Sequence, residues 1–563
     1  MEQLHDYQGE AVEFLYNTPF SAAFMDTGLG KTSTILTLLN RLFEREETKR
    51  VLIIAPIRVA NQTWPNEIKK WSHTWWMSHS VLRAEDDDPE VISAGRAARE
   101  AFKNREDIGD LAEARRKAQD EVEWLTLMED GPQAQDALKA ARERLYAIPT
   151  AQQADGKART AMKETIRQRK LAEKTDIHII DIEHIEWLID QFSEWKEVVR
   201  RGVRKRKREV VNWPYDTVII DESSKFKDHK TDRYAALVST RIKPQVKRLH
   251  ELTATPAAES YMGLFAQIYL LDRGERLGNN ITFYRDTYFR LKPRSKYVYE
   301  LMPGMQEVIS DKIADLCLVM KARDYIKTEE PLFLSRKINM TPEQLKQYKT
   351  FEREFILETP EGELIEAVSA GALSGKLLQL ASGAVYDEKK RYHIFHDHKL
   401  EDLEELVEEL SENSTTTPLL VSYWYKSSLD RLKKRFPKAI VADKQGKFVK
   451  PWNEGKIKML LVHPASIGHG LNMQAGPGHN IYFYDMCWSY ELYYQLYCRL
   501  HRQGQKYRVN VHLPQIVGTN DVLVADRLLE KEDAQEFLFD RIRAYRKRLK
   551  ALNDNRQRVR MAA

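Results

Sequence analysis

"MDTGLGKT", residues 25–32, joins an apolar run to an amphipathic one. The preceding "SAAFM" reads as a short strand. In the following "KTSTILTLLNRLFERE", Ile35, Leu38, Leu39, Leu42 and Phe43 recur at i, i+3, i+4, i+7 and i+8, one face of a helix. Strand, glycine loop and helix form the setting of a phosphate site, because loop amides and the helix N-terminus point at the same anion. The spacing departs from the pattern G-x-x-x-x-G-K-[ST], which wants a glycine where Met25 stands. In such a loop Lys31 would reach the terminal phosphates of a nucleotide, and the Thr32 hydroxyl would ligate Mg²⁺.

Outward from this loop the same alternation repeats. "RVLIIAP", "DIHIIDI", "DTVIIDE" and "RLHELTATP" are apolar strands separated by helical stretches, and "PLLVSYW", "KAIVAD", "IKMLLVHP", "NIYFYDM" and "RVNVHLP" repeat the pattern later. Continuous apolar strands between helices predict parallel, doubly wound sheets, here two of them. Residues 84–176 interrupt the first set with a stretch rich in Ala, Arg, Glu, Lys and Gln, a helical insertion. "EDGPQ" at 129–133 predicts a turn within it, and a third helix is expected over "GKARTAMKETIRQRKLAEK". The expected division is residues 1–83 with 177–270 for the first α/β domain, 84–176 for the insertion and 271–395 for a helical connection. Residues 396–520 form the second α/β domain and 521–563 a basic helical tail.

At 563 residues the chain can bury more than one core. No apolar run approaches the roughly 20 residues that span a bilayer, so a membrane role is not expected. "MEQLHDYQGE" shows no basic-then-apolar leader pattern. Cys317, Cys487 and Cys498 show no metal-ligand spacing, which fits a reducing compartment, the cytoplasm. The net charge of +5 is small but unevenly placed. "RRGVRKRKR", Arg200 to Arg208, is almost wholly basic, and Arg541 to Arg560 carries one acid among many bases. Such runs attract nucleic acid, or they are merely solvated surface; charge alone does not decide. The insertion is likewise a solvated arm or a DNA-gripping device.

Two further stretches carry chemistry. "VIIDESS" ends an apolar strand in Asp221 and Glu222. In a parallel sheet that end lies beside the phosphate loop, so Asp221 would hold Mg²⁺ and Glu222 would polarise a water. "QLYCRLHRQGQ", Gln495 to Gln505, sets Arg499 and Arg502 on one helix face. They form either a solvated basic face or a pair of arginine fingers that neutralise charge on a γ-phosphate.

Together these pieces resemble the Swi/Snf-like branch of helicase superfamily two, DNA-dependent ATPases with paired RecA-like domains. "LHDYQGEAV" is similar to the adenine-reading Q motif, with Gln8 as base reader. "MDTGLGKT" is similar to the branch's D-E-x-G-L-G-K-T loop, which does not use the first glycine of the longer pattern, so Met25 is no defect. "VLIIAPIRVANQTWPNEIKKW" resembles motif Ia, "DESS" motif II, "LTATP" motif III, "PASIGHGLNMQ" motif V and "QLYCRLHRQGQ" motif VI. "KINMTPEQLKQYKTFE" and "SGKLLQLASGAVY" are similar to the segment between the sheets. The resemblance covers most of the chain outside 84–176 and the tail.

It implies ATP and Mg²⁺ as cofactors, held by Gln8, Thr27, Gly28, Leu29, Gly30, Lys31, Thr32, Asp221 and Gly470, with the metal on Thr32 and Asp221. It implies Lys31, Glu222, Arg499 and Arg502 as catalytic, and Thr253, Thr255, Ser466 and Asn472 as coupling or DNA-contacting residues. The partner implied is DNA, double-stranded, and the protein is expected to act as a monomer. Three positions depart from the pattern. Ser223–Ser224 replace Ala–His in motif II, which removes the usual histidine link to the other motifs. Ile467 and Ala254 stand where glycine is frequent in motifs V and III. A compact, stand-alone chain of this kind is similar to those of phages and prophages.

The leading expectation is therefore an ATP-driven translocase on duplex DNA. An ATP-gated DNA-binding protein with slow hydrolysis is the alternative, against which Glu222 and the two arginines speak. A phosphate-loop enzyme acting on a small molecule would leave the second sheet and the basic runs unused.

Overall fold

The structure is a computed structural model that describes residues 4–126, 132–200, 203–239, 246–293, 298–326, 328–360, 362–411, 417–443, 445–467 and 471–562. It falls into two compact units, Met1–Trp76 with Ile182–Ala563, and Met77–Asp181.

The larger unit holds two parallel sheets. In the first, strands run in the order Cys317–Met320, Phe20–Met25, Arg248–Thr253, Thr217–Asp221, Val51–Ala55, each parallel to its neighbour. Every residue of Val51–Ala55 and Thr217–Asp221 is buried, which is why these strands read as unbroken apolar runs. The second sheet runs Leu332–Ile338, Asn510–Ile516, Asn480–Phe483, Leu419–Ser422, Met459–Val462, Ile440–Val441, again all parallel. Helices cover both of its faces. Leu420, Leu460 and Val462 pack with Tyr490, Tyr493 and Leu496 on one side. Val421 and Leu461 pack with Leu403, Leu406 and Leu432 on the other.

The expected helical connection over 271–395 contributes strands to both sheets. Cys317–Met320 extends the first beside Phe20–Met25, and Leu332–Ile338 forms the edge of the second. The basic run, left open between nucleic-acid contact and solvated surface, lies in an antiparallel hairpin, Ser193–Arg200 against Val203–Val210, with Arg204 and Arg206 exposed. Arg201 and Gly202 at its tip lie outside the described residues. Near its base Arg208 pairs with Glu186 and Asp190 and lies over the Trp195 ring.

The tail is one continuous helix, Asn520–Ala562. It starts at the second sheet, where Val524, Ala525 and Leu528 join the core, and runs back along the first. There Phe539 stacks on Phe24, and Glu536 and Asp540 both accept from the buried Lys321 ammonium, at 3.0 Å for Asp540. Arg541 pairs with Asp311, Arg543 with Asp324, and Arg546 lies over Phe14. Three arginines of the expected DNA-binding tail are thus committed to holding it in place.

In the smaller unit His79–Val81 and Ile177–Asp181 form a parallel pair. Among the described residues four helices lie between them, Pro89–Lys103, Ile108–Thr126, Pro132–Ala147 and Ala151–Ala172, one more than expected. The first and last pack closely: Val91 and Ile166 are buried together, and Asp155 accepts from both Arg99 and Arg159. Gly95 permits that approach, since a Cβ there would lie 2.0 Å from Asp155 Oδ1. The turn expected at Glu129–Gln133 overlaps residues outside the described set.

Candidate active site

The first sheet sends two loops from the C-terminal ends of its parallel strands, where ligands bind in such sheets. One is Asp26–Gly30, which turns into the helix Lys31–Glu44. Gly28 and Gly30 hold φ of +94° and +76°, the left-handed region that glycine enters without steric cost. A Cβ on Gly30 would also lie 2.1 Å from Gln8 Nε2. The loop is therefore braced from outside. Gln8 donates to the Leu29 carbonyl (3.1 Å) and the Ser33 hydroxyl (3.2 Å), and its own oxygen accepts from the His5 N–H (2.9 Å). Leu29 is fully buried beneath the loop. Lys31 donates to the Met25 carbonyl at 3.0 Å, so its ammonium spans the loop.

The other loop follows Thr217–Asp221. Asp221 is nearly buried and its Oδ2 accepts from the Trp64 indole at 3.1 Å. Glu222 has φ of +59°, a left-handed conformation that is costly for a residue with a side chain and is held only where the surroundings impose it.

Across from these loops stands the second sheet. Arg499 and Arg502 follow the helix Tyr490–Tyr497 and are 3% and 9% exposed. Arg502 donates to the carbonyls of Cys498 (2.9 Å) and Leu471 (3.3 Å) and to Asn472 Oδ1 (2.9 Å). Among the described residues the Arg499 guanidinium has no hydrogen-bond partner. Burial lowers the pKa of Arg499 to about 10 and that of Arg502 to about 9; for Arg502 the neighbouring Arg499 charge adds to the effect. A Cβ on Gly28 would be 3.4 Å from Arg502 Cγ, so loop and arginine are in near contact.

One cavity of about 820 Å³ lies among these groups. Gln8, Thr27, Gly28, Gly30, Lys31, Thr32, Asp221, Glu222, Asn472, Arg499 and Arg502 all line it. The structure thus brings together most of the residues singled out in the sequence. Thr253 and Thr255 are fully buried instead, tied by the Thr255 N–H to Thr253 Oγ1 at 3.1 Å, so neither is placed to touch DNA directly. Ser466 is exposed and donates to the His463 carbonyl at 2.9 Å. Gly470 lies outside the described residues. Sequence reasoning missed Trp64, which holds Asp221, and Trp71, His5 and Tyr7, which add aromatic surface to the cavity. Trp64 and Trp71 stood inside the quoted motif Ia stretch, but nothing in their spacing marked them. Thr32 and Asp221 offer hard oxygen donors to one space, a set that suits Mg²⁺ beside phosphates.

A family model of the SNF2-related domain matches residues 7–382. Over 548 residues the chain is 28% identical to "Putative protein p41" of Acyrthosiphon pisum secondary endosymbiont phage 1, covering 95% of this chain and 97% of that protein. A local likeness, 36% identical over 76 residues, is to the "DNA excision repair protein ERCC-6-like" of Mus musculus, covering 13% of this chain and 6% of that one. Among solved structures the chain is similar to the Sulfolobus solfataricus SWI2/SNF2 ATPase core in complex with dsDNA. That match has 14% identity, covers 95% of this chain and 96% of that one, and has a TM-score of 0.36. The Sulfolobus solfataricus SWI2/SNF2 ATPase core domain gives 15%, 94%, 89% and 0.35. With the family model matching most of its length, the chain belongs to the SNF2-related domain family.

Proposed function

We propose that the protein is a DNA-dependent ATPase that moves along double-stranded DNA without separating its strands. The observation that carries this reading is the placement of Arg499 and Arg502, buried and charged, on the same cavity as Lys31 and Glu222. Guanidiniums held out of water call for an anion, and a nucleoside triphosphate on the glycine loop supplies one. Lys31 exchanges the Met25 carbonyl for the terminal phosphates. Glu222 accepts the proton of the attacking water. Arg499 and Arg502 neutralise charge that develops on the γ-phosphate. Thr32 and Asp221 would hold Mg²⁺, which when bound neutralises phosphate charge. Because the arginines belong to one sheet and the loops to the other, hydrolysis changes what holds the sheets together, and each cycle advances one sheet along the phosphate backbone. The exposed Arg204 and Arg206 of the basic hairpin extend that backbone contact.

Membership of the SNF2-related family supports this reading, and the intact Glu222 favours turnover over slow, timed release. The test is the ATPase rate alone and with single-stranded DNA, duplex DNA and RNA, together with displacement of a triplex-forming strand from duplex DNA. Stimulation greatest with duplex DNA and ATP-dependent displacement of the third strand are expected. A full rate without nucleic acid would overturn the motor reading. Duplex stimulation without displacement would favour ATP-gated binding.

A further inference from the structure

The helix Tyr490–Tyr497 leads directly into Arg499 and Arg502. One side of it is anchored in the second sheet through Tyr490, Tyr493, Leu496 and Tyr497. Glu491 and Tyr494, three residues apart and so on a shared face, reach the first sheet's loops, Tyr494 through its hydroxyl while its ring packs against the same core. The Glu491 carboxylate, 3% exposed, receives the Lys225 ammonium at 2.7 Å and the Lys227 ammonium at 3.5 Å. It also accepts from the Ser224 hydroxyl at 3.3 Å and from the Gln495 amide at 3.3 Å. The Tyr494 hydroxyl donates to Asp26 Oδ1 at 2.8 Å, and the other oxygen of Asp26 accepts from the Ala322 N–H at 2.8 Å.

The placement of these partners is what matters. Ser224, Lys225 and Lys227 follow Asp221 and Glu222 within a few residues, and Asp26 immediately precedes Thr27. The helix that presents the arginines is therefore fastened to the root of each loop that would hold the nucleotide. None of Glu491, Tyr494, Asp26 or Lys225 lines the cavity itself. The fastening also occupies the place where Ser223–Ser224 leave the chain without a motif II histidine.

We propose that Glu491 and Tyr494 are positioning residues that set Arg499 and Arg502 in register with the phosphate loop. The inference rests on the arginine reading given under Proposed function. A displacement of about 1 Å at a reacting centre costs on the order of 10²-fold in rate, and Arg499 has no hydrogen bond of its own among the described residues to correct one.

The experiment measures kcat and KM for ATP with saturating duplex DNA, plus nucleotide affinity and thermal melting. The variants are Glu491→Gln, Tyr494→Phe, Glu491→Lys, the swap Glu491→Lys with Lys225→Glu, and Arg499→Ala. Tyr494→Phe removes one hydroxyl and keeps the ring, and the two lysine partners of Glu491 are about a third exposed and can turn to water, so folded proteins are expected. Glu491→Gln and Tyr494→Phe should lower kcat about 10–100-fold with nucleotide affinity within about 3-fold. Glu491→Lys should fall further, and the swap should recover most of that loss. A purely structural role would lower the melting temperature without rescue by the swap, which counts against the proposal. Wild-type kcat in Glu491→Gln and Tyr494→Phe, alongside a crippled Arg499→Ala, overturns this inference alone. A wild-type rate in Arg499→Ala removes the arginine reading, and this inference falls with it.

Discussion

Glu222 stands at a left-handed φ at the end of a buried strand, and that strain is retained beside a cavity lined by cations. Glu222→Gln keeps size and shape but cannot take a proton. It should bind ATP with near wild-type affinity and lose turnover, seen as trapped nucleotide in a single-turnover assay. Arg499 allows a different kind of test. Its guanidinium is 3% exposed on the wall of the cavity, and burial lowers its pKa from its ordinary value to about 10, with the nearby Glu222 charge acting the other way. Between those values the unfolded chain binds more protons than the folded one, so stability rises with pH across that window and the cost is fully present below it. Arg499→Met should therefore raise the melting temperature of the nucleotide-free protein at neutral pH by a few degrees, because the lowered pKa marks a cost of holding the charge there that the Glu222 attraction does not offset. The gain should shrink as pH passes about 10. Catalysis should move the opposite way, with a loss on the order of 10³–10⁵ in rate. A variant that is both less stable and fully active would place Arg499 among structural side chains.

The hairpin Ser193–Val210 and the helix Asn520–Ala562 show what separates legible elements from hidden ones. Val51–Ala55 and Thr217–Asp221 could be read from the sequence because burial on both faces demands an unbroken apolar run. Cys317–Met320 meets the same demand, but it is four residues long inside a helical stretch. Leu332–Ile338 is an edge strand with alternating exposure, and its Ser335, Arg336 and Lys337 conceal it. A run of lysines and arginines carries no strand signal either; the hairpin is visible only once its partner "SEWKEVVR" is paired with it. The loops of the candidate site were legible because the glycine loop stands between a strand and an amphipathic helix and the Asp221–Glu222 pair ends an apolar run downstream of it. Glu491 and Tyr494 were not, because they stand in "YELYYQLY", an aromatic stretch that reads as core. As an outward element the hairpin carries its own test. Arg204→Ala with Arg206→Ala should weaken duplex binding alike across sequences. It should also make the log–log salt dependence shallower by about 0.9 per lost phosphate contact. The DNA-free ATPase rate should stay put, and an unchanged salt slope would leave the hairpin as solvated surface.

Across the larger unit the helix Asn520–Ala562 ties the two sheets into one assembly. Its Glu536 and Asp540 meet Lys321, whose side chain is 2% exposed at the end of the strand beside Phe20–Met25. Glu536→Gln with Asp540→Asn would leave that ammonium buried without a carboxylate. Because both acids are more than a third exposed, the cost is set below that of a fully buried pair, at about 2 kcal/mol in urea unfolding. An unchanged midpoint would mean that Lys321 finds water and the helix is held by its apolar contacts. The pairing of Ala22 with Cys317 has a consequence of another kind, for biosynthesis. The strand that carries the phosphate loop is made near the beginning of the chain, and its edge partner lies past the midpoint. At roughly 5–20 residues per second, that apolar edge waits on the order of 15–60 s on the ribosome for its neighbour. Unpaired strand edges are templates for wrong pairing, so the nascent chain, rather than the finished protein, is where this fold is most exposed to aggregation and most in need of a chaperone.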